Sequence, residues 1–109
     1  MKLTTLLAAA TVALAPTIAG ASHDPEAAKN ALMHAHHKMM EAMQSLEPTG
    51  DADKDFVNMM IPHHQGAIDA AKVELEFGHD EKLRLMAQEI IAAQEKEIAE
   101  MKEWLEAHP

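Results

Sequence analysis

The chain contains no cysteine and no tyrosine, and it has one tryptophan and two phenylalanines among its 109 residues. The absence of cysteine excludes a disulfide scaffold, a thiolate zinc or iron–sulfur site and a cysteine nucleophile. Basic residues are also few, 9 against 18 acidic ones, for a formal net charge of −9. Because nucleic acids and anionic membranes are bound through Lys and Arg, this balance argues against both as partners. In contrast, the sequence is rich in histidine and methionine, with eight and nine residues respectively.

The N-terminal segment has the order of parts of a secretory signal peptide. Residues 1–2 are a short positive start, residues 3–15 an apolar run, and residues 19–21 a small-residue cleavage signature. The apolar run is shorter than the roughly 20 residues that cross a bilayer. We therefore expect cleavage near Ala21, no membrane anchor, and a mature domain of residues 22–109 that is periplasmic or secreted. A buried N-terminal helix is the alternative interpretation.

The remaining sequence predicts an all-α fold of three main helices. No stretch alternates with period two, so we expect no sheet, and two short connections favour antiparallel, up-down neighbours. Pro62 predicts either a kink in helix two or the first residue of a new helix. Two chains could complete a four-helix unit as a homodimer. The expected helices run from Pro25 to about Leu46, from a cap at Asp51 or Asp53 to Gly78, and from Asp80 to about Ala107.

Metal-ligand side chains concentrate on the inner faces predicted for helices one and two. When residues are placed at about 100° per step, the apolar face of helix three is that of an ordinary core helix. The corresponding faces of the other two helices are crowded with thioethers and imidazoles. We therefore select as candidate metal ligands Met33, His36, His37, Met39, Met40 and Met43 on helix one, and Met59, Met60, His63 and His64 on helix two.

The spacing of these candidates is that of a site for a soft metal ion. Residues three or four apart are neighbours on a helix, so Met60 lies beside both His63 and His64. Thioether beside imidazole is the donor set that Cu(I) prefers, with Ag(I) or Cu(II) as alternatives. The competing interpretation is that Met and His merely pack. Burying four imidazoles without hydrogen bonds would be costly, however, and this favours metal.

No catalytic motif accompanies these residues, so we expect a binding protein rather than an enzyme. The spacing Glu76-x-x-His79 matches half of a di-iron site, but Gly78 ends the helix there and no second copy exists. The acidic surface would attract cations and could dock a copper-handling partner protein. The alternative is a helical interaction or chaperone-like protein without metal, for which an exposed Leu85 would suit self-association.

The second helix also carries a family resemblance. The segment 53–69 resembles the signature of the domain-of-unknown-function family DUF305, and the segment 83–105 resembles the rest of that domain. The resemblance implies a ferritin-like helical fold and a CopM-like periplasmic copper-binding role in metal sequestration, transport or tolerance. It places Met59, Met60, His63 and His64 at motif positions, within the string Met59-Met60-Ile61-Pro62-His63-His64-Gln65-Gly66-Ala67-Ile68.

Overall fold

A computed structural model describes residues 23–109, so the expected signal peptide lies outside the described residues. This part of the chain is all-α and contains no strand, as the sequence predicts. In the same range, no helix combines the length and the apolar character needed to cross a membrane. The helices are α1, Pro25–Gln44; α2, Ala52–Phe77; and α3, Glu81–Ala107.

Each helix begins at an aspartate that the sequence marks as a cap. The side chain of Asp24 accepts hydrogen bonds from the backbone N–H groups of the second and third residues of α1. Asp51 does the same for α2, which decides between the two predicted caps, and Asp80 accepts from the N–H of Leu83 in α3. Such carboxylates satisfy N–H groups that have no partner within the helix and complement the positive end of its dipole.

The connection between α1 and α2 is ordered by one carboxylate. Asp55 accepts hydrogen bonds from the backbone N–H of Thr49 at 2.8 Å, from the Thr49 hydroxyl at 2.8 Å and from the N–H of Gly50 at 3.1 Å. These bonds, led by the one from the Thr49 N–H, lower the pKa of Asp55 below its ordinary value. Gly50 adopts a φ of 90°, a left-handed conformation that favours glycine.

Helix α2 is the central element of the fold. It packs against both α1 and α3, whereas α1 and α3 do not contact each other. Lys38 of α1 pairs with Asp69 of α2 at 3.7 Å. At the other connection, the Arg84 guanidinium donates to the carbonyl of Leu75 at 2.7 Å and to that of Gly78 at 2.9 Å. Both connections are short, so each pair of neighbouring helices is antiparallel, as expected for an up-down bundle.

The buried core is small, and its centre is Ile68 of α2. This residue is 2% exposed, and the core's other members are short or β-branched side chains. On the α1 side, Met39 packs directly over Gly66: a Cβ added at residue 66 would lie 2.8 Å from Met39 Cγ. Glycine therefore allows α1 and α2 to approach closely. The buried hydrophobic residues of the described chain are Ala35, Val57, Ile68, Ala71, Ala87 and Ile98.

Helix α2 continues through Pro62 without interruption. Of the two alternatives predicted for Pro62, the one in which it is the first residue of a new helix is therefore wrong. Proline lacks the N–H that would bond the carbonyl of Asn58, so the two turns of helix on either side of this position are less strongly coupled. Met59, Met60, His63 and His64 all lie within one turn of this position.

Candidate metal centre

The candidate ligands of α2 are divided between its two neighbours. Met59 lines a cleft on the α1 side together with Met43. Met60 and His64 line a different cleft, on the α3 side. Successive helical residues point about 100° apart, which is enough to direct adjacent methionines to different partners. The inner face expected for helix two is therefore shared, with Met59 on the α1 side and Met60 and His64 on the α3 side.

The α1 side gathers thioethers but leaves most imidazoles outside. Met33, His36 and Met39 line a cleft of about 410 Å³, and Met43 and Met59 line a neighbouring one of about 400 Å³. Neither cleft contains a buried imidazole. His36 is exposed to solvent although it lines a cleft. The remaining candidates, His37 and Met40 on α1 and His63 on α2, are also exposed.

The α3 side holds a larger cleft, of about 680 Å³, which we call the α2–α3 cleft. Its floor is apolar, and its carboxylates give it a negative field that attracts cations. Helix α3 supplies four of its nine lining residues, so the face expected to be core also forms one wall of this cleft. The lining residues are Asp53, Phe56, Val57, Met60, His64, Glu97, Glu100, Met101 and Trp104.

His64 is the best-organised side chain of the α2–α3 cleft. Its side chain is 14% exposed, and its Nε2 contacts a carboxylate oxygen of Glu97. Because an ionised carboxylate can only accept, the proton between them is on Nε2. In the neutral imidazole this leaves a lone pair on Nδ1, which is buried and has no hydrogen-bond partner. A buried nitrogen without a hydrogen-bond partner carries a desolvation cost that a further partner would relieve.

The contact between His64 and Glu97 also fixes the register of the two antiparallel helices. Moving one turn back along α2 and one turn forward along α3 places Met60 opposite Met101. At the end of the pair, Lys54 Nζ donates to the carbonyl oxygen of Pro109 at 3.1 Å, which agrees with this register. Met60 and Met101 therefore lie at the same level of the helix pair, one turn away from His64, and both line the α2–α3 cleft.

This donor set fits a soft monovalent ion. Two thioether sulfurs and one imidazole nitrogen are the ligands that Cu(I) prefers. Within residues 23–109 no three His, Asp or Glu side chains are grouped so that they could hold a metal ion. The donors of the α2–α3 cleft are Met60, His64 and Met101.

Sequence reasoning missed Met101, Glu97 and Trp104 as site residues. It placed all three on the apolar face of helix three and took that face as core. The signal that could have found them is the short turn at Gly78, because a tight antiparallel turn sets which residues of the two helices are opposite. Counting outward from the helix ends at that turn brings Met60 to within one turn of Met101.

Comparison with known proteins gives one partial relative and one family. The chain is similar to an uncharacterized protein of Acanthamoeba polyphaga mimivirus, at 41% identity over 49 residues, which cover 45% of this chain and 32% of that protein. The chain thus matches about a third of that relative's length. Residues 2–105 match the family described as "Domain of unknown function (DUF305)". Since this match spans nearly the whole sequence, the chain belongs to the DUF305 family.

Proposed function

We propose that this protein binds Cu(I), and also Ag(I), in the α2–α3 cleft through the thioethers of Met60 and Met101 and the Nδ1 atom of His64. The observation that supports this most is the state of His64. Metal-ligating histidines characteristically donate their second ring N–H to a carboxylate, which orients the ring and raises its basicity. Glu97 occupies that position on Nε2, and the opposite nitrogen is buried without a partner.

The role that fits this site is metal sequestration, transport or tolerance rather than catalysis. Signal peptide cleavage near Ala21 would deliver the protein to the periplasm or outside the cell. These compartments are oxidising, and thioethers bind soft metals there without forming disulfides. The chain's net charge of −9 would favour cation capture and docking to a copper-handling protein.

The methionines on the α1 side would provide additional Cu(I) sites of lower affinity. Met33 and Met39 share one cleft, and Met43 and Met59 share another, so thioether pairs for Cu(I) are present there. Without a buried imidazole these pairs should bind less tightly than the α2–α3 cleft. Cu(II) would instead use exposed imidazoles, of which His36 and His37 are neighbours.

A competition titration with bicinchoninate under reducing conditions tests the proposal, and α2 offers a matched pair of variants. His64→Ala removes the imidazole of the cleft, and we expect Cu(I) affinity to fall about 100-fold or more, since even loss of an outer-sphere partner costs about 10- to 100-fold. His63→Ala removes the adjacent, exposed imidazole and should change the affinity by less than about 3-fold. Circular dichroism should show helical content unchanged in both.

Two results would contradict the assignment in different ways. If wild type does not compete with bicinchoninate at all, the protein is not a Cu(I)-binding protein. If His63→Ala weakens binding as much as His64→Ala, the site is the one expected from the motif and not the α2–α3 cleft. The exposed His34 on α1 supplies a further control, because His34→Ala should leave the titration unchanged.

Exposed apolar side chains favour a helical interaction protein as the second candidate function. Leu32 is 51% exposed, Leu83 48%, Leu85 57% and Met86 45%. Leu32 and Leu83 flank the alanines of α2 where α1 and α3 do not meet. A homodimer could cover this surface. Native mass spectrometry with and without Cu(I) reports mass and metal stoichiometry together: a dimer that forms without metal favours this candidate, and a metal-loaded monomer opposes it.

A further inference from the structure

Trp104 lies in the α2–α3 cleft beside the proposed ligands. It is the chain's single tryptophan, and it lines the cleft together with Met60, His64 and Met101. On α3 it follows Met101 by three residues, a spacing that makes two side chains neighbours on a helix. The indole is therefore part of the wall that faces the sulfur donors, and not of a separate region of the core.

His108 covers one face of this indole. The two rings are stacked with centroids 4.1 Å apart and planes 15° from parallel. The His108 Nδ1 atom is also 2.7 Å from the carbonyl oxygen of Trp104, to which its N–H donates. The chain end next to it is tied to α2 through Lys54 and Pro109. These contacts restrict the indole, and they leave its remaining surface to line the cleft.

The charge of the proposed complex makes an aromatic face useful at this place. Thioethers and a neutral imidazole carry no charge, so a bound Cu(I) or Ag(I) ion would keep its single positive charge. The face of an aromatic ring attracts a cation within about 6 Å of its centroid, and tryptophan does so most strongly. Glu97 is engaged by His64, and the indole, three residues after Met101 on α3, is a further electron-rich group that lines the cleft.

We infer that Trp104 is a further contact residue of the site, whose indole covers the bound monovalent ion through a cation–π interaction while His108 holds the ring in position. This inference rests on the proposed Cu(I) and Ag(I) binding. The indole would occupy the side of the ion that water would otherwise reach. It would therefore favour monovalent ions over Cu(II), which prefers additional nitrogen or oxygen ligands.

Titration of the whole chain with Ag(I) tests this contact, because Trp104 is the sole source of tryptophan emission and Ag(I) adds no redox change. We expect one equivalent of Ag(I) to quench the emission and to produce a new absorption shoulder on the red side of the indole band. Met60→Leu should remove both signals at that stoichiometry. Met86→Leu, an exposed methionine elsewhere on α3, is the matched control and should behave as wild type.

Affinity measurements with two replacements complete the test. Trp104→Leu keeps apolar volume without a π face, and Cu(I) affinity by bicinchoninate competition should fall about 3- to 30-fold. Trp104→Phe keeps a weaker π face, so its Cu(I) affinity should lie between those of wild type and Trp104→Leu. This second variant also provides a test if Trp104→Leu folds poorly. His108→Ala should reduce the absorption shoulder without abolishing binding.

Different results would contradict the Trp104 contact and the proposed metal binding. If wild type binds Cu(I) but Ag(I) leaves the indole spectrum unchanged, and both Trp104 variants bind as tightly as wild type, the contact is wrong and the proposed function stands. If wild type binds neither Cu(I) nor Ag(I), the proposed function is wrong and the contact with it.

Discussion

The two sides of α2 carry the same types of residue but differ in how they are organised. Toward α1, Met39 packs over Gly66 and the imidazoles are exposed to solvent. Toward α3, a thioether lies near a largely buried imidazole, His64, whose outer nitrogen is held by Glu97. The presence of the right ligand types is therefore not enough to define a site. What distinguishes the α3 side is an oriented imidazole with one nitrogen left for a ligand.

Beyond the loss of His64 itself, the largest expected effect comes from removing a thioether on the α3 side. Met101→Leu keeps apolar volume and removes the sulfur, so Cu(I) affinity should fall about 100-fold, because a lost ligand costs at least as much as a lost outer-sphere partner. Met43→Leu makes the same change on the α1 side and should alter affinity by less than about 3-fold. Bicinchoninate competition measures both affinities. Equal losses would mean that the thioethers of the two sides contribute equally to Cu(I) binding.

Loss of the carboxylate behind His64 should be the next largest effect. Glu97→Ala leaves the imidazole ring without its hydrogen-bond partner, and we expect Cu(I) affinity to fall about 10- to 100-fold. Glu97→Gln can still accept from Nε2 through its amide oxygen, so its loss should be smaller. Glu100→Gln, in the same cleft, removes an equal charge without touching His64 and is the control. If Glu97→Gln and Glu100→Gln weaken binding equally, Glu97 acts only through its charge.

On the α1 side the expected effects concern stability instead of metal affinity. A methyl group at residue 66 would press on Met39, whose Cβ would lie 3.0 Å away. Overpacking of this kind costs about 1–3 kcal/mol, against which alanine gains about 1 kcal/mol as a helix former. We therefore expect Gly66→Ala to lower the free energy of unfolding by up to about 2 kcal/mol, measured by urea denaturation.

The Met39→Ala background controls this prediction. There the outer atoms of the Met39 side chain are gone and only the Cβ of residue 39 remains close to the methyl group, so adding Gly66→Ala should cost less stability than it does in wild type. Cu(I) affinity of the single variant Gly66→Ala, measured below its unfolding transition, should remain within about 3-fold of wild type, since the α2–α3 cleft is on another face. A stable Gly66→Ala protein would show that Met39 does not hold the two helices at this distance.

The smallest expected effect concerns acid stability at the connection of α1 and α2. The hydrogen bonds from Thr49 and Gly50 lower the pKa of Asp55 in the folded protein. A depressed folded pKa stabilises the fold above the ordinary aspartate pKa of about 3.9, and this stabilisation is lost as pH falls through the lower folded value. Thermal melts between about pH 6 and pH 2 should therefore show a shallower acid decline in Asp55→Asn than in wild type.

Asp53→Asn removes the same charge from the same turn of α2 and provides the control for this measurement. It should retain the wild-type acid decline, because Asp53 does not receive the bonds from Thr49 and Gly50. Superimposable pH profiles for the two variants would mean that the loop hydrogen bonds of Asp55 do not contribute to stability.

The helices were predictable because their signals are local. Asp24 before Pro25 and Gly78 at the end of α2 determine helix ends through neighbouring backbone groups, and the structure confirms the three helices and their order. Only small differences appear, such as the end of α1 at Gln44 instead of about Leu46. The exposure of Leu85 was also correctly expected from its position on the polar side of α3.

The division of ligands was not predictable from the same signals. A helical projection places Met59 and Met60 on one broad apolar face, and it does not say which neighbouring helix covers which edge of that face. That depends on how α1 and α3 pack around α2. Met101 was overlooked for a second reason: methionine on an apolar face is usually a core residue, and only the register with α2 brings it opposite Met60.

The most direct test of the central claim is X-ray absorption at the copper edge of the Cu(I)-loaded protein. The α2–α3 cleft predicts a first coordination shell of two sulfur atoms and one imidazole nitrogen. The variant carrying both Met60→Leu and Met101→Leu should lose the sulfur contribution, whereas Met43→Leu with Met59→Leu should keep it. A shell without sulfur in wild type, or a sulfur signal lost only in the Met43 and Met59 variant, would contradict the account.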